Sequence, residues 1–191
     1  MSAETVPEWL LTPPGGWTAD DLDRLPPEAP RCEVLDGALY VMSPHTYFHS
    51  GAIWRLAAAF DNAVPPQWQV AIEVTIQLGK GDCPEPDVLV GYPEAALYPE
   101  RTWYRPEEVA LVVEVVSPES VHRDRVVKPQ KYAEAHIPHF WRVEHHKGVP
   151  VVHVFSLDKS GRRYTEVAVE RRKLEVEQPF PFSLDVNRLY P

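Results

Sequence analysis

Cysteine is scarce in this sequence, and long apolar runs are missing. The two cysteines, Cys32 and Cys83, lie far apart and lack the spacing of a zinc site. We therefore expect reduced thiols and a cytoplasmic location, with a disulfide between the two cysteines as the open alternative. No apolar run approaches the ~20 residues that a membrane span requires. The N-terminus lacks a basic segment followed by an apolar one, so no signal peptide is expected.

Positive charge is also scarce: 28 acidic residues outnumber 19 lysines and arginines, which gives a formal net charge of −9. Nonspecific affinity for nucleic acid comes from Lys and Arg side chains on phosphates, so this balance excludes a general nucleic-acid coat. The acidic net charge does not exclude a local basic cleft. A carboxylate-rich metal site would itself add negative charge, which its cation would offset.

The length and composition are typical of one soluble globular domain. The 191 residues include 44% hydrophobic and 25% charged residues, which is ordinary for a protein with a sizeable core. Residues 1–16 are rich in proline and glycine, and we expect a flexible N-terminal lead-in there. We expect residues 17–191 to form a single domain.

Hydrophobic periodicity predicts a succession of strands and helices. Asp36-Gly37 lies between two apolar runs, which is a strong signal for a two-residue hairpin turn. Residues 43–64 have the apolar spacing of an amphipathic helix, and residues 68–78 alternate as in a half-buried strand. The other predicted elements are a short helix at 18–22, a strand at 87–91, a loop at 92–106, a strand at 109–117, a helix ending near Ala135, a strand at 139–144, a hairpin of 149–157 and 163–169, and a strand at 173–177.

Glu114 lies inside the apolar run of residues 109–117, a pattern that indicates a strand buried on both faces. An ionised carboxylate there is costly unless it is paired or binds a metal. Asp87 begins the preceding predicted strand. Because neighbouring strands lie ~4.8 Å apart, both carboxylates can bind one cation if these strands are adjacent. The alternatives are a salt bridge or exposure at the strand end for Glu114, and a turn cap for Asp87.

Two carboxylates on one cation indicate a particular chemistry. Oxygen-only ligation suits Mg²⁺ or Mn²⁺. Such a cation polarises a phosphate and generates hydroxide, while a nearby lysine neutralises the developing charge. The combination of two carboxylates, a hard cation and a lysine therefore favours phosphodiester hydrolysis.

A set of short motifs surrounds these two carboxylates. They are Glu33-Val34-Leu35-Asp36-Gly37, Met42-Ser43-Pro44 with His49, Pro86-Asp87-Val88, Val113-Glu114-Val115-Val116-Ser117-Pro118, Asp124 with Lys128, Lys131-Tyr132-Ala133 and Ile137-Pro138-His139-Phe140-Trp141. Their order resembles the PD-(D/E)xK nuclease superfamily, and in particular its Uma-type restriction endonuclease family of bacteria. The resemblance covers about residues 17–157. It implies an α/β (α+β) fold with a mixed β-sheet flanked by helices, Mg²⁺ dependence and DNA cleavage.

The lysine of the nuclease pattern is displaced in this sequence. The position two after Glu114 is Val116, so the Glu-x-Lys spacing is absent. The family's pattern moves the lysine onto the following helix, which implies that Lys128 is the charge-neutralising group. Pro129 disfavours the α conformation for the residue before it, so Lys131 is the alternative cation.

Two further residues, Glu33 and His49, complete the predicted catalytic set. Glu33 either joins the acidic cluster or is an exposed strand residue. His49 either contacts phosphate or water, or is a core histidine. His45 and His49 have the spacing of a zinc pair, but no third ligand completes that motif in the sequence. Four other histidines are closely spaced in the sequence: His136, His139, His145 and His146. They fall across a loop and strand ends, which argues against a metal site there.

The predicted function is therefore a Mg²⁺- or Mn²⁺-dependent DNA endonuclease, with Asp87 and Glu114 as its metal ligands. One alternative is a catalytically idle domain that binds DNA or a protein partner, which the acidic net charge and the displaced lysine favour. Another is a metal-dependent hydrolase of a smaller phosphate ester. Residues 98–104 include Tyr98 and Tyr104, and an apolar surface there would serve a homodimer.

Overall fold

A central mixed β-sheet organises the computed structural model, which describes residues 7–92, 98 and 100–190. The helices are α1 (Ala19–Leu22), α2 (Tyr47–Asp61) and α3 (Lys128–Glu134). The strands are β1 (Cys32–Leu35), β2 (Ala38–Val41), β3 (Gln69–Ile72), β4 (Thr75–Ile76), β5 (Val88–Gly91), β6 (Trp103–Tyr104), β7 (Val109–Val115), β8 (His139–His146), β9 (Val149–Leu157), β10 (Tyr164–Glu170), β11 (Lys173–Val176) and β12 (Phe182–Asp185).

The sheet has six strands in the order β10-β9-β8-β7-β5-β3. β7 and β8 are parallel, and the other neighbours are antiparallel. All seven residues of β7 are buried, as its near-continuous apolar sequence predicts for a strand covered on both faces. This arrangement confirms the predicted mixed sheet flanked by helices.

Helix α2 covers one face of the sheet. Its residues Ile53, Leu56 and Phe60 are buried in one cluster with Val113 and Trp141 of the sheet. The prediction that this helix begins at Ser43 is wrong, because it begins at Tyr47. The Oγ1 atom of Thr46 accepts a bond from the His49 N–H at 3.2 Å and caps the helix. Pro44 disfavours the α conformation at Ser43, so the chain before the cap stays extended.

Helix α3 covers the opposite face, where Tyr132 packs in a second cluster with Leu89, Val112 and Phe140. A π-helical turn, Arg123–Val127, leads into α3. The side chain of Glu114 projects to this face together with Val112, because alternate residues of a strand share a face. The central carboxylate of β7 therefore faces α3, whereas Val113 and Trp141 face α2.

The predicted strand at residues 68–78 is split in two. Glu73 has a positive φ of +55°, a conformation that few residues other than glycine adopt and that breaks the extended chain. β3 before the break pairs with β5, whereas β4 after it pairs in parallel with β6. The prediction of a loop throughout residues 92–106 is wrong at β6. Residues 93–97 and 99 lie outside the described residues.

The N-terminal half contains a hairpin formed by β1 and β2. β1 and β2 pair across Asp36 and Gly37, both with positive φ, so the predicted Asp-Gly turn is confirmed. The hairpin packs through Val34 on Cys83, and both cysteines are buried free thiols. Within the predicted lead-in, residues 8–10 form a 3₁₀ turn, and residues 1–6 lie outside the described range.

The C-terminal hairpin of β11 and β12 is followed by a 3₁₀ turn, Val186–Leu189. β12 was not predicted, because its four residues alternate too briefly between Pro181 and the polar turn that follows to give a strand signal. Leu174, Leu184 and Leu189 join the cluster beneath α2. Among the described residues, no helix combines the length and apolar character needed to cross a membrane.

Candidate active site

Asp87 and Glu114 lie beside each other on adjacent strands. Val88 of β5 is in register with Val113 of β7, so antiparallel pairing places Asp87 and Glu114 at the next step along each strand. Both side chains are buried, with 5% and 1% of their surface exposed. The Oδ2 atom of Asp87 accepts a hydrogen bond of 2.6 Å from the backbone N–H of Val115. The strand adjacency on which the predicted metal pair depends is therefore present.

Lys128 supplies the cation at these carboxylates. Its Nζ atom lies 2.9 Å from Oε2 of Glu33 and 3.2 Å from Oε1 of Glu114. A longer contact of 3.9 Å joins it to Oδ1 of Asp124. Only 2% of the Lys128 surface is exposed. Glu33, Asp87, Glu114, Asp124 and Lys128 are named here the carboxylate cluster.

The conformation of Lys128 explains why the following proline does not displace it. Lys128 is in the α region, with φ −61° and ψ −46°, although Pro129 follows. The π-helical turn before α3 is wider than an α-helical turn, which makes room for the proline ring, and the Lys128 N–H bonds to the carbonyl of Arg123. Pro129 sits in the first turn of α3, where a missing N–H is tolerated.

Lys131 points elsewhere. Its Nζ atom lies 2.6 Å from Oδ1 of Asp36 and 2.6 Å from Oδ1 of Asp82, at the β1–β2 turn. Its ammonium group therefore pairs with a different set of carboxylates from the set that Lys128 contacts. Of the two lysines that the sequence left open, the structure places Lys128 in the carboxylate cluster.

Glu33 is fully buried on β1, so the alternative of an exposed strand residue is wrong. Besides Lys128, its Oε2 atom accepts a 3.2 Å bond from the backbone N–H of Glu85. Its Oε1 atom lies 3.3 Å from Nε of Arg123, yet neither atom has a hydrogen bond of good geometry. This orphaned carboxylate oxygen leaves Glu33 with unused capacity to accept a donor or a cation.

His49 lies on the buried side of α2, one turn before Ile53. Its Nε2 atom is 3.3 Å from Oδ2 of Asp87, and its Nδ1 atom is buried without a hydrogen-bond partner. Burial would lower the pKa of His49, but the bond and the charge of Asp87 raise it overall. Burial would raise the pKa of Asp87, but its hydrogen bond with His49 and the charge of Lys128 lower this pKa overall.

The carboxylate cluster carries more negative charge than Lys128 offsets. Burial raises the pKa of Glu114 well above its usual range, and the Lys128 ammonium opposes only part of that rise. Burial alone would lower the pKa of Lys128, whereas Glu114 and Glu33 raise it well above its usual range. A divalent cation beside Glu114 would favour the ionised carboxylate. The donor set and its excess charge therefore fit a hard divalent cation, which Asp87 and Glu114 would hold.

Two members of the site were not predicted as functional residues. Asp124 is 2% exposed and accepts a hydrogen bond from the Ser120 hydroxyl. Burial raises its pKa to about 6, against the opposing charge of Lys128. The hydroxyl of Tyr132 donates a 2.6 Å bond to Oε1 of Glu114. The i,i+4 spacing of Asp124 and Lys128 was the available signal, whereas Tyr132 read as an ordinary core aromatic.

A cavity of about 240 Å³ adjoins this cluster and gives solvent-sized molecules access to it. Asp87, Glu114 and Lys128 line its floor. Its other walls come from residues 42–46, from His49 of α2, from the loop after β7 and from the π-helical turn. The loop and the turn contribute Ser117, Pro118, Glu119, Ser120, Arg123 and Asp124. The cavity therefore brings the predicted catalytic residues Asp87, Glu114, Lys128 and His49 together, with Glu33 behind them against Lys128.

Two other sequence-based interpretations change. His45 and His49 have Asp87 as a nearby third ligand group, which their spacing in the sequence did not reveal. At the surface expected for a homodimer, Tyr98 is 63% exposed, but Tyr104 is only 6% exposed and bonds through its hydroxyl to Gln69. The apolar surface at residues 98–104 is therefore smaller than predicted, and a homodimer stays a prediction.

The fold and the carboxylate cluster define a restriction-endonuclease-like domain. The sequence profile of the Uma2 family, described as "Putative restriction endonuclease", matches residues 19–187. The chain belongs to this family. The family resemblance stated from the sequence motifs is thereby confirmed.

A solved structure shows the same fold. It is described as a putative nuclease belonging to DUF820 from Anabaena variabilis, and it superposes with a TM-score of 0.67 at 15% sequence identity. The superposition covers 90% of this chain and 96% of the other. No curated protein matches this chain in sequence.

Proposed function

We propose that this chain is a Mg²⁺- or Mn²⁺-dependent endonuclease that hydrolyses phosphodiester bonds in DNA, formed by one domain at residues 17–191. The observation that carries the proposal is the buried pair Asp87 and Glu114 beside Lys128 on the floor of a cavity. Membership in the Uma2 family supports the reaction class.

The proposed roles follow from charge and position. Asp87 and Glu114 would hold the cation, and a bound Mg²⁺ or Mn²⁺ supplies polarisation of the phosphate and activation of water. Lys128 is the group that neutralises negative charge as it builds on the phosphate. Glu33 fixes the Lys128 ammonium from behind, at 2.9 Å, and acts as a positioning residue.

His49 is the remaining polar group of the proposed machinery. Its imidazole lies against Asp87 and lines the cavity, so it can contact a phosphate oxygen or hold a proton of the attacking water. Among the described residues, its Nδ1 atom has no hydrogen-bond partner, which leaves hydrogen-bonding capacity for such a contact.

A catalytically idle nuclease-fold domain that binds DNA or a protein partner is the second candidate. It is favoured by one observation: the Lys128 ammonium already contacts Glu33 and Glu114, so the cluster is closed as an ion-pair network. A network of this kind can be purely structural. A nuclease assay separates the two candidates, because only the first requires metal-dependent cleavage.

The decisive measurement is cleavage of supercoiled plasmid and of single-stranded DNA with Mg²⁺ or Mn²⁺, compared with EDTA. We expect cleavage that EDTA abolishes and that Asp87→Asn reduces to the EDTA level. The matched control is Asp61→Asn, because Asp61 is exposed at the far end of α2 from His49. Two outcomes would refute the proposed function: undiminished DNA cleavage by Asp87→Asn, or no cleavage of either substrate by the folded wild type.

Replacement of His49 by leucine separates a functional from a structural histidine. We expect His49→Leu to keep its fold, because leucine suits the buried face of α2, and to lose activity by about 10²-fold, as for a positioned acid–base group. His146→Leu, at the exposed end of β8, is the control and should stay fully active. Full activity in a folded His49→Leu variant would return this residue to the core.

A further inference from the structure

Three side chains at the cavity offer ligand atoms that converge. One nitrogen each from His45 and His49 and one carboxylate oxygen of Asp87 lie within 4.8 Å of one another. The two imidazole rings have centroids 4.2 Å apart. Within residues 7–92, 98 and 100–190, no other group of three His, Cys, Asp or Glu side chains brings its ligand atoms this close together. Its members come from the segment before α2, from α2 itself and from the start of β5.

The separation between His49 and Asp87 suits two neighbouring ligands of one ion. With bonds of about 2.0–2.2 Å, two adjacent ligand atoms lie roughly 2.8–3.6 Å apart, with octahedral ions at the short end of this interval and tetrahedral ions at the long end. The distance from His49 Nε2 to Asp87 Oδ2 is 3.3 Å, within this interval. His49 is only 6% exposed, and its Nδ1 atom is buried without a hydrogen-bond partner. The protein therefore leaves polar capacity on this imidazole that its own groups do not use.

Glu73 orients the third ligand, His45. The Nδ1 atom of His45 lies 3.5 Å from Oε1 of Glu73, so a proton on Nδ1 faces a carboxylate and the lone pair belongs to Nε2. A carboxylate behind the ring is the usual support of a metal-binding histidine. Glu73 is placed there by its left-handed backbone conformation, φ +55°, which a residue other than glycine adopts only at a cost.

Arg31 contacts the same lone pair. Its Nη1 atom lies 3.2 Å from Nε2 of His45, and the guanidinium is also paired with Glu73 at 2.6 Å and with Glu85. A positive group thus already lies against the face of His45 that a cation would occupy. Metal binding requires Arg31 to give up this one contact, while both of its carboxylate pairs can remain.

We propose that His45, His49 and Asp87 form a mixed nitrogen–oxygen site that takes a borderline transition-metal ion, of the class of Mn²⁺, Co²⁺ or Zn²⁺, in preference to Mg²⁺. Imidazole suits such ions, whereas Mg²⁺ selects oxygen ligands. Asp87 belongs both to this set and to the carboxylate pair with Glu114. The nitrogen ligands would therefore decide which ion Asp87 holds. For its catalytic consequence the inference rests on the proposed function, but for binding it does not.

Metal titration of the full chain by calorimetry, with Mn²⁺, Zn²⁺ and Mg²⁺ in turn, tests the preference. We expect wild type to bind Mn²⁺ and Zn²⁺ at least about 10-fold more tightly than Mg²⁺. His45→Ala should weaken Mn²⁺ and Zn²⁺ binding by about 10–100-fold and leave Mg²⁺ binding within about twofold, and Glu73→Gln should weaken Mn²⁺ and Zn²⁺ binding to a smaller degree. His146→Ala controls for adventitious binding at an exposed imidazole.

Pulsed electron paramagnetic resonance of bound Mn²⁺ reports the ligands directly. We expect coupling to two imidazole nitrogens in wild type and to one in His45→Ala. Equal affinity in His45→Ala and wild type, or no nitrogen coupling in wild type, would overturn the site, whatever the chain does to DNA. Nitrogen-coupled Mn²⁺ in a protein that cleaves no DNA would support the site and overturn the nuclease instead. Circular dichroism and a thermal melt confirm that each variant is folded.

Discussion

Lys128→Met is expected to lower both the rate of DNA cleavage and the free energy of unfolding, each by a large amount. The ammonium lies within 3.2 Å of Glu33 and of Glu114, with all three side chains buried. Removing one partner of a buried ion pair costs about 3–5 kcal/mol, because the remaining charge is left uncompensated. Methionine fills a similar volume, so lost packing contributes little. Urea unfolding at neutral pH measures this loss in the free energy of unfolding.

The loss of activity has a separate cause. A missing electrostatic contact to the transition state costs on the order of 3 kcal/mol, or about 10² in rate. Lys128→Met should spare metal binding, because a lysine is not a metal ligand in this arrangement. The rate therefore has to be measured at saturating metal and at a temperature where the variant is folded.

Two further variants separate stability from catalysis. Lys131→Met is the matched control: its ammonium pairs with Asp36 and Asp82 near the surface, so we expect full activity and a stability loss of no more than about 1 kcal/mol per pair. The double variant Lys128→Met with Glu33→Gln removes one uncompensated carboxylate. It should regain stability without regaining activity. Normal cleavage by Lys128→Met, or a dead Lys131→Met, would refute the assigned role of Lys128.

The burial of β7 could be predicted from sequence because it depends on a strong local signal. Residues 109–116 are apolar except for Glu114, which fixes both the burial of β7 and the need to compensate this carboxylate. The Asp36-Gly37 turn was predictable for a similar reason, since both residues adopt the positive φ that this turn requires. Each of these signals lies within a few residues of the feature that it specifies.

The interpretations that failed depend on contacts between distant parts of the chain. Glu73 continues an alternating pattern, yet its pairing with Arg31 and the backbone bond from its N–H to the Asp87 carbonyl hold it in a left-handed conformation that ends β3. His45 and His49 have a helical spacing, but α2 begins between them, at Tyr47. Hydrophobic periodicity cannot reveal such breaks, because they are stabilised by tertiary contacts.

Lys128 and its surroundings show an intermediate case. The sequence offered two lysines, Lys128 and Lys131, three positions apart, and a proline between them that weakened the first. The π-helical turn that accommodates Pro129 has no local sequence signal, since it is stabilised by the burial of Asp124 and Lys128 in the cluster. The choice between the two lysines therefore required the positions of Glu33 and Glu114, which lie 95 and 14 residues away from Lys128 in the chain.

Addition of Mg²⁺ or Mn²⁺ is expected to raise the thermal unfolding midpoint of wild type by roughly 5–10 °C. The buried carboxylates repel one another, and Lys128 offsets only part of their charge, so a divalent ion bound by the folded state relieves this repulsion. An ion at about 100 times its Kd stabilises the folded state by about 2.7 kcal/mol, and each kcal/mol is worth about 2–4 °C for a chain of this size.

The same measurement on ligand variants assigns the shift to Asp87 and Glu114. Asp87→Asn and Glu114→Gln should each abolish the Mg²⁺-induced shift while changing the metal-free midpoint little, because each removes one charge from a cluster with excess negative charge. Asp61→Asn should keep the full shift, which controls for weak binding of cations to an acidic surface. Ionic strength is held constant with KCl so that general screening is equal in all samples. Equal shifts in wild type, Asp87→Asn and Glu114→Gln would show that the cation binds elsewhere, and the assignment of these two carboxylates as metal ligands would be withdrawn.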